Sequence, residues 1–142
     1  MRARACLLGL RNFREADGSP FNYCPAFLLS RKQIRTAGDR LPFSDRGDIL
    51  KELLEAKGIV IGSSNINSSI LPTVAPFLEE LEGLRPRNKI AASFGSYGWG
   101  GGAVKAIEEK LKRADIEVVA DALTVKWVPD KDELQKCFEF GR

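Results

Sequence analysis

The sequence predicts an α/β fold, a doubly wound parallel sheet with helices on both faces in three αβα layers. Three observations carry that expectation. From Asp45 onward, helical and extended patterns alternate in the order αβαβαβα, and such alternation builds a parallel sheet between helical layers. Gly58-Ile59-Val60-Ile61-Gly62 is a continuous β-branched run, as expected of a strand covered on both faces. Lys89 to Phe94 forms a second strand that breaks into glycines, with Tyr97 and Trp99 between them, before a helical pattern begins at Ala103.

Residues 1–44 carry less pattern. Ala5 to Leu10 fits a short buried strand, Asp17-Gly18-Ser19-Pro20 a turn, Pro25 to Ile34 a short helix, and Thr36 to Pro42 a loop. From Asp45, which can cap the start, Ile49, Leu50, Leu53 and Leu54 share one helical face. Lys57-Gly58 ends that helix, and the polar loop Ser63 to Ser69 follows the β-branched strand. Pro72 opens the next helix, with Val74, Ala75, Leu78 and Leu81 as its apolar face. Pro86 stops it. The helix after the glycine loop carries Ala103, Val104, Ile107 and Leu111 and runs to about Ala114. Ile116 to Ala120 and Leu123 to Val128 are extended. Asp130-x-x-Glu133 starts the last helix as a capping box, and Leu134, Cys137 and Phe138 face inward.

A length of 142 residues makes one domain, 1–142, the expectation, and a chain of this size buries roughly two-thirds of its surface. No apolar run approaches the roughly 20 residues of a membrane span. The patch Ala5 to Leu10 is too short for a signal peptide, so the expected setting is cytoplasmic. Three cysteines without a CxxC pair point to neither a disulfide framework nor a zinc site. There is no histidine, which removes Ser-His-Asp and Cys-His catalysis and the commonest metal ligand. Redox chemistry here needs a bound organic cofactor. The net charge of +3 hides an asymmetry. Residues 1–44 are rich in arginine and basic, the remainder rich in lysine and slightly acidic. The basic start lacks interleaved aromatics, so nucleic-acid binding ranks last among the readings.

The two loops are the candidate site. Each follows a strand and precedes a helix, so in a parallel sheet they lie side by side at the carboxyl ends of the strands, where α/β folds bind ligands. Glycines let backbone approach a ligand. Tyr97 and Trp99 bring flat apolar faces with a polar edge. Hydroxyls and amides from Ser63 to Ser69 can bond the rim of a ring. A flat polar or anionic cofactor fits this chemistry. A plain turn with core aromatics, and a plain solvated loop, stay open as alternatives. Gly98-x-Gly100-x-x-Ala103 with Asp121 also fits a dinucleotide fingerprint, but that motif belongs on the first βα turn.

Gly62-Ser63-Ser64-Asn65-Ile66-Asn67-Ser68-Ser69-Ile70-Leu71-Pro72, Gly83-Leu84-Arg85-Pro86-Arg87-Asn88-Lys89 and Ala92-Ser93-Phe94-Gly95-Ser96-Tyr97-Gly98-Trp99-Gly100-Gly101, with the earlier Asp45 to Ile49, resemble the flavodoxin-like domain of flavodiiron (A-type) flavoproteins. The resemblance covers about residues 44–142, and residues 1–44 are atypical. It implies a sheet in the order 2-1-3-4-5 that binds FMN. It also implies ring contacts from Ser63, Ser64, Asn65, Ile66 and Asn67 in one loop and Ser96, Tyr97, Gly98, Trp99 and Gly100 in the other. Ser63 and Asn67 match the family's Ser-Pro-Thr-x-Asn-Asn pattern, while Ser64, Asn65 and Ser68 replace Pro, Thr and the second Asn.

Two departures accompany the resemblance. Such proteins carry a diiron domain before this one, and these residues hold none. The family's phosphate loop, rich in Ser and Thr between the first strand and first helix, has no counterpart in residues 1–44. Two lost charge-assisted hydrogen bonds of roughly 1.5–3 kcal/mol each weaken FMN about a hundredfold or more. The arginines at 11, 14, 31, 35 and 40 are candidates to replace them. The function implied is an FMN electron relay between a reductase or rubredoxin-like donor and a diiron partner. The alternative is a cofactor-free interaction module that binds another protein or a second copy of itself. No residue reads as a general acid or base.

Overall fold

The computed structural model describes residues 4–8, 35–39 and 45–140. Two strands, β1 (Arg4–Leu8) and β2 (Arg35–Asp39), pair in parallel, so Thr36 to Asp39, read as loop from the sequence, is strand, while the turn read at 17–20 and the helix read at 25–34 lie outside the described residues. They are followed by helix α1 (Arg46–Glu55), strand β3 (Gly58–Ser64), helix α2 (Ala75–Leu84), strand β4 (Ile90–Tyr97) and helix α3 (Ala103–Arg113). Then come β5 (Glu117–Val118), β6 (Leu123–Lys126) and α4 (Lys131–Phe140). The described strands form one parallel sheet in the order β2-β1-β3-β4-β5, with β6 also on β4. β1 therefore fills the central slot beside β3, in register Ala5↔Gly58 to Leu8↔Ile61, and no unpaired edge is left there.

Local chemistry accounts for the helix ends. The Asp45 carboxylate accepts from Gly47 N–H at 2.8 Å and Asp48 N–H at 3.3 Å, capping α1. Asp130 and Glu133 form the reciprocal box that starts α4, at 2.8 and 3.1 Å. Arg85 closes α2 in the left-handed region at φ 44, and Pro86 follows. Pro72 lies in the turn ahead of α2 rather than in the helix itself, since the helix begins at Ala75. Lys89 Nζ reaches the Leu54 carbonyl at 3.1 Å, placing a cation at the negative end of α1.

One face of the sheet holds the main core. Ile59 and Ile61 of β3, with Ala91 of β4, meet Ile49 and Leu53 of α1, Phe77, Leu78 and Leu81 of α2, and Ile107 and Leu111 of α3. All four residues expected on the inner face of α3 are buried. In α2 the buried face is Val74, Phe77, Leu78 and Leu81. Phe77 takes the place expected for Ala75, because 74, 77, 78 and 81 are the helix-spaced set. Leu54 and Phe138, expected inside, are exposed. At the Gly62↔Phe94 pair the aromatic ring lies over the glycine, whose Cβ would fall 1.9 Å from Cζ.

The fifth strand is broken. β5 pairs with Ile90 and Ala91, and β6 resumes only at Phe94. Val119 N–H still donates to Ala91 O at 3.0 Å, and residues 120–122 leave the ladder, so the two extended segments read from the sequence are one interrupted edge of the sheet.

Lys110 of α3 bridges to Glu79 and, at 3.3 Å, to Glu82 of α2. The hydrogen bond to Glu79 is the largest cause raising its pKa above 10.5, with Glu82 adding to it against desolvation. A folded pKa above the unfolded value stabilises fully below about pH 10.5 and is lost as pH rises through the higher folded value. Lys110→Met is expected to cost about 0.5–1 kcal/mol at neutral pH, because Glu79 is largely solvated. Thermal unfolding of both proteins checks this, and the gap between them should close as pH rises past that window.

Candidate functional site

β3 and β4 leave the sheet together. Their register runs to Ser63↔Gly95 and Ser64↔Ser96, the Ser64 and Ser96 hydroxyls lie 3.0 Å apart, and Asn65 N–H donates to Ser96 O at 2.8 Å. The chain then reverses tightly. Ile66 and Ser69 exchange backbone hydrogen bonds of 3.0 and 2.8 Å, with Asn67 at φ 48 and Ser68 at φ 57. Two consecutive left-handed residues mark a reversal of type I′ kind. The Ser63 hydroxyl is buried, donates to Ser64 O at 2.8 Å and accepts from Leu71 N–H at 3.0 Å, pinning the far end of the loop.

Asn65 ties this loop to the next. Its Nδ2 donates to Gly100 O at 2.7 Å, and its Oδ1 accepts from Ala103 N–H at 3.1 Å. The second bond satisfies a donor in the first turn of α3 that the cap residue, Gly102, has no side chain to satisfy. The loops also touch directly, since a Cβ on Gly102 would lie 2.1 Å from Ser68 O.

Above them stand two tryptophans. Trp99 is 91% exposed and Trp127 50%. Their ring centroids are 4.7 Å apart, edge to face at 78°. Trp127 N–H donates to Tyr97 O at 2.9 Å, and its indole covers Gly98, whose Cβ would meet three ring atoms at 3.1–3.4 Å. Trp127 sits at φ 56, a left-handed conformation that costs a bulky residue about 1–2 kcal/mol.

Both predicted loops are thus brought into contact, with their residues in different attitudes. Ser63 and Asn65 spend their side-chain hydrogen bonds within the loops. Ser64 and Ser96 are partly buried and paired to each other. Ile66, Asn67, Trp99 and Gly100 are exposed, and Tyr97 and Gly98 are half-buried. Open space lies over Gly100. Trp127 is the site residue that sequence reasoning missed. Its available sign was a large aromatic closing the strand beside β4, just before Val128-Pro129. The fingerprint glycines follow β4 rather than the first strand, and Asp121 is exposed on the break between β5 and β6, so the dinucleotide reading falls away.

Residues 63–71 and 95–102 contain no charged side chain. These loops can stack a planar ring and hydrogen-bond its rim with neutral groups. Among the described residues no group of three or more His, Cys, Asp or Glu is gathered to hold a metal ion, and no helix is long and apolar enough to cross a membrane. Of the arginines considered as replacements for the missing phosphate loop, Arg11, Arg14, Arg31 and Arg40 lie outside the described residues, and Arg35 begins β2.

Comparison with known proteins adds the following. The flavodoxin family model matches residues 30–141. The nitric oxide reductase of Moorella thermoacetica is 53% identical over 104 residues, 72% of this chain and 26% of that protein. The anaerobic nitric oxide reductase flavorubredoxin of Pectobacterium carotovorum is 47% identical over 98 residues, 69% of this chain and 19% of that protein. The chain thus spans about a quarter or less of the length of these relatives. The rubredoxin oxygen:oxidoreductase of Desulfovibrio gigas shares the fold at a TM-score of 0.80 and 24% identity, over 97% of this chain and 34% of that one. A flavodoxin from the domain Archaea is similar at a TM-score of 0.75 and 26% identity, over 97% of this chain and 93% of that one.

Proposed function

The chain belongs to the flavodoxin family, and on that premise we propose that it is an FMN-binding electron-transfer domain of flavodiiron type. One observation carries the reading: two uncharged loops, clamped together by Asn65, present an exposed Trp99 at the carboxyl ends of β3 and β4, beside Trp127 at the end of β6. In the order β2-β1-β3-β4-β5 the direction of winding reverses between β1 and β3, and the crevice beside such a reversal is where doubly wound folds take ligands.

The residues present fit a flavin ring. Trp99 offers an open face, and Gly100 leaves the backbone free to approach. Ser64, Ser96 and Asn67 supply neutral hydrogen-bonding groups for the ring's polar rim. FMN, when bound, supplies the one- and two-electron chemistry that no side chain here provides. The chain's own part is to orient the ring, cover one side from water and leave an edge open to a partner. The flavorubredoxin name of one relative favours a rubredoxin-like or reductase donor; a diiron acceptor and a cytoplasmic setting are the remaining parts of the proposal.

The test is a visible absorption spectrum of the purified protein, repeated after addition of FMN and desalting. A retained flavin band is expected. A protein that stays colourless would sink the reading and leave the cofactor-free interaction module in its place.

A further inference from the structure

We infer that Trp127 is a positioning residue of this site, holding Trp99 in the orientation that receives a flat ring; the inference deepens the flavin reading and rests on it. Six described residues other than glycine have positive φ: Asn67, Ser68, Arg85, Asn88, Asp115 and Trp127. Five have local reasons. Asn and Asp tolerate the left-handed region through short polar side chains. Ser68 belongs to the tight reversal closed by Ile66 and Ser69, and Arg85 is a helix C-cap. Trp127 has neither the side chain nor a helix end to explain it.

The surroundings give the reason. β6 ends at Lys126, paired with Tyr97, and Trp127 N–H extends that ladder to Tyr97 O at 2.9 Å. An extended residue there would continue the alternation of side chains across the sheet. The left-handed turn instead lays the indole over Gly98, where a Cβ would come within 3.1 Å of it. From that seat it meets Trp99 edge to face at 4.7 Å. Trp99, 91% exposed, has no other ring contact among the described residues. Strain held where a ligand-facing aromatic needs support is the pattern of a site organised before its ligand arrives.

The chain has two tryptophans, so in Trp127→Phe and Trp127→Asn the remaining indole fluorescence reports Trp99 alone. In the ligand-free proteins, Trp99 anisotropy should stay high with phenylalanine, which keeps an aromatic contact, and fall with asparagine. Asparagine tolerates the left-handed backbone, so the unfolding midpoint of W127N should stay within about 3 °C of wild type or rise. Titrated with FMN, W127N should bind roughly tenfold more weakly than wild type. A merely structural role predicts instead that affinity and stability fall together. The inference is overturned if W127N binds FMN as wild type does, if its affinity falls only in step with its midpoint, or if Trp99 rotates as freely in W127F as in W127N. Should the wild type take up no FMN, the flavin reading fails by itself, and the anisotropy comparison still decides whether Trp127 positions Trp99.

Discussion

Replacing Trp99 with alanine is expected to weaken FMN binding by roughly ten- to hundredfold while leaving the unfolding midpoint almost unchanged. The two halves of that result have separate causes. A stacked aromatic contributes about 1–3 kcal/mol to holding a planar base or ring, and 1.4 kcal/mol is a factor of ten in affinity. Stability has little to lose, because the side chain is 91% exposed and its ring contact among the described residues is the edge-to-face one with Trp127. Trp99→Phe keeps a stacking face and should recover most of the affinity. Flavin fluorescence titration and thermal unfolding, run on the same preparations, check both halves. Equal affinities for the alanine variant and the wild type would place the ring elsewhere.

The contrast between Trp99 and Trp127 shows where sequence reading reaches and where it stops. Trp99 sits in a glycine-rich loop after an apolar strand, and that order alone places it at the carboxyl end of the sheet. The helix after it was equally legible, since Ala103, Val104, Ile107 and Leu111 repeat with the period of one face and all four are buried. Trp127 depends on facts that no local pattern holds: a fifth strand that breaks at residues 120–122, a resumption on the upper half of β4, and a backbone turned left-handed at φ 56. Ser63 and Asn65 show a second limit. Residue type tells which donors and acceptors a loop owns, not where they point. The Ser63 hydroxyl turns inward to Leu71 N–H and the Asn65 amide sideways to Gly100 and Ala103. Both side chains build the loop surface on which a ring is proposed to lie, a role that residue type alone does not disclose. The strand order 2-1-3-4-5 came from resemblance rather than periodicity, and the pairing of β1 with β2 and β3 agrees with it.

Gly102→Ala is expected to destabilise the protein by about 2–3 kcal/mol and to lower FMN affinity, although it adds a single methyl group. The new Cβ would lie 2.1 Å from Ser68 O, 2.7 Å from Ser68 C and 3.2 Å from its Cα. These are backbone atoms, so no side chain can swing aside. Ser68 cannot retreat cheaply, because it sits at φ 57 inside a reversal closed by both Ile66–Ser69 hydrogen bonds. On the other side Asn65 holds Gly100 and the start of α3 to the same loop. Either the loops part, losing the Asn65 bonds at about 1 kcal/mol each, or the contact stays overpacked at about 1–3 kcal/mol. Gly100→Ala and Gly101→Ala are the controls, since no described residue lies within 4 Å of a Cβ at either position. Their unfolding midpoints should match the wild type. The three glycines look alike in the sequence, yet one lets two loops touch and the other two leave space open above them. If all three variants unfold together, the loops are not packed against each other at Ser68 and the clamp at Asn65 has no surface to hold.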